Sequence, residues 1–146
     1  MAIAIDLTGR VALVTGGARG VGRGVTRCLL DAGAHVVVCG RTEPDPGILP
    51  EGTSFVSADV RDPEAVSALL GGIVAHHGRL DIAVNNAGGS PGTDAATASP
   101  RFSEKILSLN LTSALHVAQA ANRVMQAPDQ GGSVVNITSL SGLRPS

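Results

Sequence analysis

The chain of 146 residues is 43% hydrophobic and 16% charged, and its 11 Lys and Arg against 12 Asp and Glu leave a formal net charge of -1. That is enough apolar material for one packed core and too much for a disordered tail, and the charge balance argues against nucleic acid or a membrane surface as partner. Two Phe, no Trp and no Tyr exclude base-stacking platforms and aromatic cages. The 19 glycines, about 13% of the chain against an ordinary ~7%, follow no collagen or linker pattern.

Strand-like and helix-like segments alternate. Residues 11–15 form a nearly all-apolar run closed by glycines, as expected of a strand buried on both faces. Residues 20–32 carry Val21, Val25, Leu29 and Ala32 at helical spacing, with Gly33 as the stop. Residues 35–39 read as a second buried strand and the Pro- and Gly-rich stretch 42–53 as loop. A third strand is expected over 54–58. A helix follows, with Asp62 as its N-cap and Pro63 in its first turn, running to about His77 and ended by Gly78. Residues 80–85 give a fourth strand and 86–100 a loop. A long helix over 102–125 is expected to turn Leu107, Leu111, Leu115 and Ala118 to the core, leaving Ala114, Val117 and Ala121 on an outer face apolar enough for self-association. After a turn at Gly131-Gly132, residues 133–137 read as a fifth strand. Short buried strands alternating with helices imply an α/β fold, a doubly wound, Rossmann-type parallel sheet, with residues 1–146 as one domain.

The turn after the first strand is Thr15-Gly16-Gly17-Ala18-Arg19-Gly20-Val21-Gly22. Backbone N–H groups in such a turn, aimed from a helix N-terminus, suit a pyrophosphate or other anion. Arg23-Gly24 stands where a P-loop needs Lys and then Ser or Thr, and G-x-G-x-x-G is also missing because Val25 takes the last place. What stands is T-G-x-x-x-G-x-G. Further along come Asp59-Val60 after the third strand, Asn85-Asn86-Ala87-Gly88 after the fourth, Asn110 in the long helix and Asn136-Ile-Thr-Ser139 at the fifth strand's end. In this order and spacing the chain resembles the short-chain dehydrogenase/reductase family over essentially its whole length.

The resemblance implies a pyrophosphate turn of Gly16, Gly20 and Gly22 with Arg19 and Val21 between them. It implies that Asp59 accepts the adenine amino group while Val60 packs on the ring, and that Asn86, Ala87 and Gly88 run beside the nicotinamide ribose. Taken singly, Asp59 is also a helix-leading acid and Asn85-Asn86 a turn-forming pair. At the end of the second strand an acid selects NAD, whereas an arginine selects the 2′-phosphate of NADP. Gly40 stands where NAD-preferring relatives typically carry Asp, and Arg41 and Thr42 follow, so the expected cofactor is NADP(H) rather than NAD, with Arg19 facing the same phosphate. The other readings of Arg41 are a solvated loop residue or a cation stacked on adenine.

Family catalysis interconverts a carbonyl and a secondary alcohol of a small-molecule substrate. It uses a Tyr acid/base, a Lys four residues later, a Ser that holds the substrate oxygen and a helix Asn. Ser139 matches the serine, with Ser141 as a lesser contender. Asn110 matches the asparagine, its alternative being a polar residue that kinks a core helix. Tyr and Lys have no counterpart, and Ser146 falls just before Y-x-x-x-K is expected. Two readings follow: the N-terminal part of a longer oxidoreductase, or a truncated, catalytically silent dinucleotide-binding module. The resemblance further implies a homo-oligomer, dimer or tetramer, built through the long helix. Cys28 and Cys39, in apolar stretches, are expected as buried free thiols of a cytoplasmic protein. No run reaches a membrane span and no targeting segment is apparent. The four histidines look scattered, without zinc spacing.

Overall fold

The computed structural model describes residues 5–127 and 131–140. Within them the order is β1 (Val11–Thr15), α1 (Gly20–Asp31), β2 (His35–Gly40), β3 (Thr53–Ser57), α2 (Pro63–His77), β4 (Ile82–Asn85), α3 (Pro100–Leu107), a π-helical turn (Ser108–Thr112), α4 (Ser113–Met125) and β5 (Ser133–Asn136). The strands form a five-stranded parallel sheet in the order β3-β2-β1-β4-β5. Strand order reverses between β1 and β4, which opens a crevice above the carboxyl ends of those two strands.

Alternation along β1 builds two cores. Val11 and Leu13 join Val37, Cys39, Leu69, Leu70, Ile73 and the inner side of α4, while Ala12 and Val14 join Val36, Val38 and Val84 against Leu29 and Leu30 of α1. Side chains that point alternately up and down a strand require this partition once both faces are covered. Leu13, Leu70 and Leu80 are fully buried, and each such side chain contributes roughly 1.5–3 kcal/mol by leaving water. The β2–β3 crossover (residues 41–52) contains no helix, as its prolines led us to expect.

Helix ends follow the local chemistry. The Asp62 carboxylate accepts from the Glu64 N–H, and Gly78 closes α2 with a left-handed φ of 77°, a conformation open to glycine without strain. The α3 start is capped by the Ser99 hydroxyl, which accepts from the Phe102 N–H. The start of α1 is different: Arg19 stands at its N-cap with no side-chain hydrogen bond, and its first turn carries no acid.

Three expectations are corrected. The long helix presents the opposite face to the core: Leu107, Leu111 and Leu115 are 56%, 63% and 54% exposed, whereas Ser113, Val117, Ala120, Ala121 and Met125 are buried. Close packing of α4 against α2 and the sheet favours small side chains, and the extra residue in the π-helical turn breaks the single stripe that an unbroken helix would carry. Cys28 is exposed on α1, and only Cys39 is buried. Burial pushes the Cys39 thiol up to about 12, against the opposing Gly16 N–H. Finally, three of the histidines are not scattered: His77 lies with its ring 5.8 Å from His35 and 4.6 Å from His76, where the end of α2 meets the start of β2. Among the described residues no His, Cys, Asp and Glu group is arranged to hold a metal, and no helix is long and apolar enough to cross a membrane.

Candidate dinucleotide site

The switch-point crevice is tied together by one hydroxyl. Thr15, the last residue of β1, donates through Oγ1 to the Val84 carbonyl (3.3 Å) and accepts from the N–H groups of Asn86 (3.0 Å) and Ala87 (2.9 Å). The Asn86 side-chain amide returns the link, donating to the carbonyls of Thr15 (2.9 Å) and Gly16 (3.1 Å). The glycine turn and the segment after β4 therefore hold each other in place. Gly16 has φ 64° and Gly20 φ 49°, so the turn needs glycine at both positions.

The glycines of the turn divide the work between them. A Cβ at Gly22 would strike the Asn86 amide and the Gly16 carbonyl, so this position keeps the helix clear of the neighbouring loop rather than of the sheet. Gly17 is the one that permits close helix–sheet approach: a Cβ there would meet Thr26 Oγ1 and Val38 Cγ2, both at 2.8 Å. Thr26 then donates to the carbonyls of Gly17 and Gly22 at 3.2 and 2.9 Å. Nothing lies within 4 Å of a Cβ built at Gly20, so the start of α1 opens onto free space.

A cavity of about 550 Å³ occupies this position, lined by Gly16, Arg19, Gly20, Val21, Arg41, Thr42, Asp59, Val60, Asn86, Ala87 and Gly88 among others. Sequence reasoning picked all of these. It missed Thr15 and Gly17, whose signal was their place in the turn itself, and the flanking Pro44 and Phe55 that also line the cavity. Val60, Asn86, Ala87 and Gly88 are shared with a second cavity of about 420 Å³, which adds Asn110, Asn136 and Thr138. One cleft therefore runs from Arg41 to the end of β5.

Asn110 sits within the π-helical turn, and its side chain is committed. Its Oδ1 accepts from the Gly89 N–H at 2.9 Å, and its amide donates to the carbonyls of Gly89 (2.9 Å) and Ile106 (3.0 Å). The asparagine thus clamps the loop after β4 to the helix. Ser139 is exposed and follows Thr138 at the cleft's far end; Ser141 lies outside the described residues. Asn85 donates to Asn136 Oδ1 (2.8 Å) and to the Ala114 carbonyl (3.1 Å), locking β5 to β4 and α4 just before Ser139.

Gly40, Arg41 and Asp59 line the cavity at the end of β2 and beyond β3. Gly40 closes β2 with the Phe55 ring 3.6 Å and the Thr42 carbonyl 4.0 Å from a Cβ built there. The Arg41 backbone is fixed by the Ser57 hydroxyl, which donates to its carbonyl at 3.2 Å. Asp59 is gripped by Arg61, whose hydrogen bonds hold its carboxyl down at about 2, with the Arg41 charge acting in the same direction. An uncapped helix start, left-handed glycines and an ionised carboxylate at the far wall suit a ligand with a diphosphate and an amino-bearing base.

A family model described as short chain dehydrogenase matches residues 10–146. The L-fucose dehydrogenase of Oryctolagus cuniculus is 37% identical over 147 residues, covering 97% of this chain and 51% of the relative. The 15-hydroxyprostaglandin dehydrogenase [NAD(+)] of Homo sapiens is 35% identical over 153 residues, with 97% and 54% covered. A solved short chain dehydrogenase from Mycobacterium smegmatis superimposes with a TM-score of 0.86 at 34% identity, over 99% of this chain and 66% of that one. The chain spans about half the length of these curated relatives. With the glycine turn, the Asn85-Asn86-Ala87-Gly88 segment and the sheet order all in agreement, the chain belongs to the short-chain dehydrogenase family.

Proposed function

We propose that this chain is the dinucleotide-binding part of a cytoplasmic, homo-oligomeric oxidoreductase that interconverts a carbonyl and a secondary alcohol of a small molecule, with NADP(H) as its cofactor. The observation that carries the reading is the convergence of the glycine turn, Arg41, Asp59 and Asn86 on one cavity above the switch point. The N–H groups at the start of α1 hold the diphosphate, and Arg19 adds positive charge beside it. Asp59 accepts from the adenine amino group while Val60 packs on the ring. Asn86, Ala87 and Gly88 border the nicotinamide end. The bound dinucleotide supplies or accepts the hydride. Ser139 then holds the substrate oxygen, and Asn110 fixes the loop beside it.

Preference for the 2′-phosphate rests on Gly40 and Arg41: no carboxylate stands at the end of β2 to accept the ribose hydroxyls, and a guanidinium follows at once. The human relative carries NAD(+) in its name, so the preference is argued from these residues alone. Titration of both reduced dinucleotides tests it. NADPH should bind at least about tenfold more tightly than NADH, the discrimination that one well-made charged contact provides. Gly40→Asp, for which Phe55 leaves room, should narrow or reverse the ratio. Equal or tighter NADH binding by the unaltered chain would overturn the assignment.

The chain holds no tyrosine, which favours a second reading as a silent dinucleotide-binding module. Hydride transfer to a panel of ketones by the intact gene product separates the two: turnover supports the oxidoreductase, and tight binding without turnover supports the module.

A further inference from the structure

The aspartate at the base-reading end of the cavity does not stand free. Arg61, two residues on, donates to Oδ1 through its backbone N–H (3.0 Å) and Nε (2.9 Å), and to Oδ2 through Nη2 (2.6 Å) with a longer contact from Nε (3.2 Å). A two-pronged guanidinium–carboxylate contact fixes orientation as well as charge. Both side chains are about one-third exposed, Arg61 at 32% and Asp59 at 34%. This is therefore not a buried structural pair, and Asp59 faces the cavity. An ionised carboxylate offers about four acceptor positions. Oδ1 has taken two donors, and Oδ2, with one short bond, keeps capacity to spare.

We propose that Arg61 is a positioning residue: it holds Asp59 as an oriented, acceptor-only carboxylate, and so makes the site prefer a base with an exocyclic amino group, adenine, over one with a carbonyl in that place, hypoxanthine. The inference rests on the dinucleotide reading above. Its physical basis is the asymmetry of hydrogen bonding: an amino group donates to the free lone pair of Oδ2, whereas a carbonyl there meets a second acceptor that has no proton to offer. Loss of Arg61 frees the carboxylate to rotate and to take up a proton at milder acidity, and a protonated acid accepts either base. Arg41 adds its charge from the other side of Asp59 but makes no hydrogen bond that orients it among the described residues.

NADPH and its hypoxanthine counterpart differ at this group and at the neighbouring N1, which carries a proton only in hypoxanthine, and calorimetric titration of both against the unaltered chain, Arg61→Met and Arg61→Lys reads the combined effect. The unaltered chain should favour adenine by about tenfold or more, the kind of rejection expected when a polar site faces an analogue that cannot pair. Arg61→Met should reduce that ratio to about threefold or less. Its NADPH affinity should also fall more steeply between pH 6 and 4 than the unaltered chain's, over the decline common to both as the 2′-phosphate takes up a proton. Arg61→Lys, which keeps the charge without the fork, should fall between, and it decides the matter alone if the Met variant does not fold. An unchanged ratio in the variants, or an equal loss for both bases, overturns the inference and leaves the cofactor reading intact. Failure of the unaltered chain to bind either dinucleotide overturns both.

Discussion

Two aspartates, at opposite ends of the sheet, are each gripped by arginine, and they do different work. Asp59 lies above the carboxyl end of β3, is one-third exposed, and its carboxylate takes its hydrogen bonds among the described residues from Arg61. Asp81 lies just before β4, and its side chain is only 7% exposed. It accepts from Arg79 (2.8 and 2.6 Å), from Arg10 (2.8 Å) and from the Val11 N–H (2.9 Å). Its backbone N–H also donates to the Val11 carbonyl, and its carbonyl accepts from Ser133. Both carboxyls are held at about 2: at Asp81 burial pushes upward, but Arg79, Val11 and Arg10 outweigh it. Similar titration thus accompanies opposite roles. A carboxylate whose acceptor positions are filled, and which ties β1, β4 and β5 together, serves the fold. One with a position to spare, facing a cavity, is placed for the ligand role proposed above.

The largest expected effect breaks this comparison if it fails. Asp81→Ala leaves two guanidiniums and a strand N–H without their partner, and should cost about 3–5 kcal/mol in urea unfolding, as removal of one member of a buried ionic cluster does. Asp59→Ala should cost under about 1 kcal/mol, as for an exposed pair, yet weaken NADPH binding by about tenfold or more. Similar stability losses at the two sites would erase the distinction.

A second pair of substitutions sharpens the contrast within the ligand end. Gly22→Ala places a methyl group against the Asn86 amide and the Gly16 carbonyl, while two residues on in the same helix Gly24→Ala meets nothing within 4 Å. The first should cost roughly 1–3 kcal/mol through overpacking and loosen the Thr15–Asn86 links, so dinucleotide binding falls with it. The second should stabilise by up to about 1 kcal/mol, because alanine is the better helix former. Chemical denaturation together with NADPH titration reads both.

These contrasts also mark what could be read in the chain beforehand. The glycine turn and the Asn85-Asn86-Ala87-Gly88 segment were legible because each needs particular residue types at fixed offsets: left-handed φ at Gly16 and Gly20, and a side-chain amide at Asn86 that reaches back to Thr15. The inward face of the long helix was not. Leu107, Leu111 and Leu115 have the bulk and spacing of a core stripe, but the π-helical turn shifts the phase, and α4 lies too close to α2 for leucines. The Arg61 grip on Asp59 was hidden for another reason: a two-residue separation in a loop obeys no helical or strand period, so only the fold fixes where the guanidinium lands.

The smallest expected effect concerns the lower end of the sheet alone. His77 sits with its ring near His35 and His76, and burial lowers its pKa, with the charges of His76 and His35 acting the same way. A histidine that titrates lower when folded than unfolded favours the folded state above its ordinary value near 6.5 and gives up that contribution as pH falls below it. Asp81, also depressed, keeps its contribution down to about pH 5 and loses it only as pH falls from there towards 2. Thermal melts from pH 8 to 3 should therefore show a shallow decline near pH 6, followed by a steeper one. His77→Gln should remove the first decline and leave the second, whereas Asp81→Asn should flatten much of the second and leave the first. A single transition that shifts in both variants would mean that the two clusters respond as one, and the lower end of the sheet would then be a single electrostatic unit.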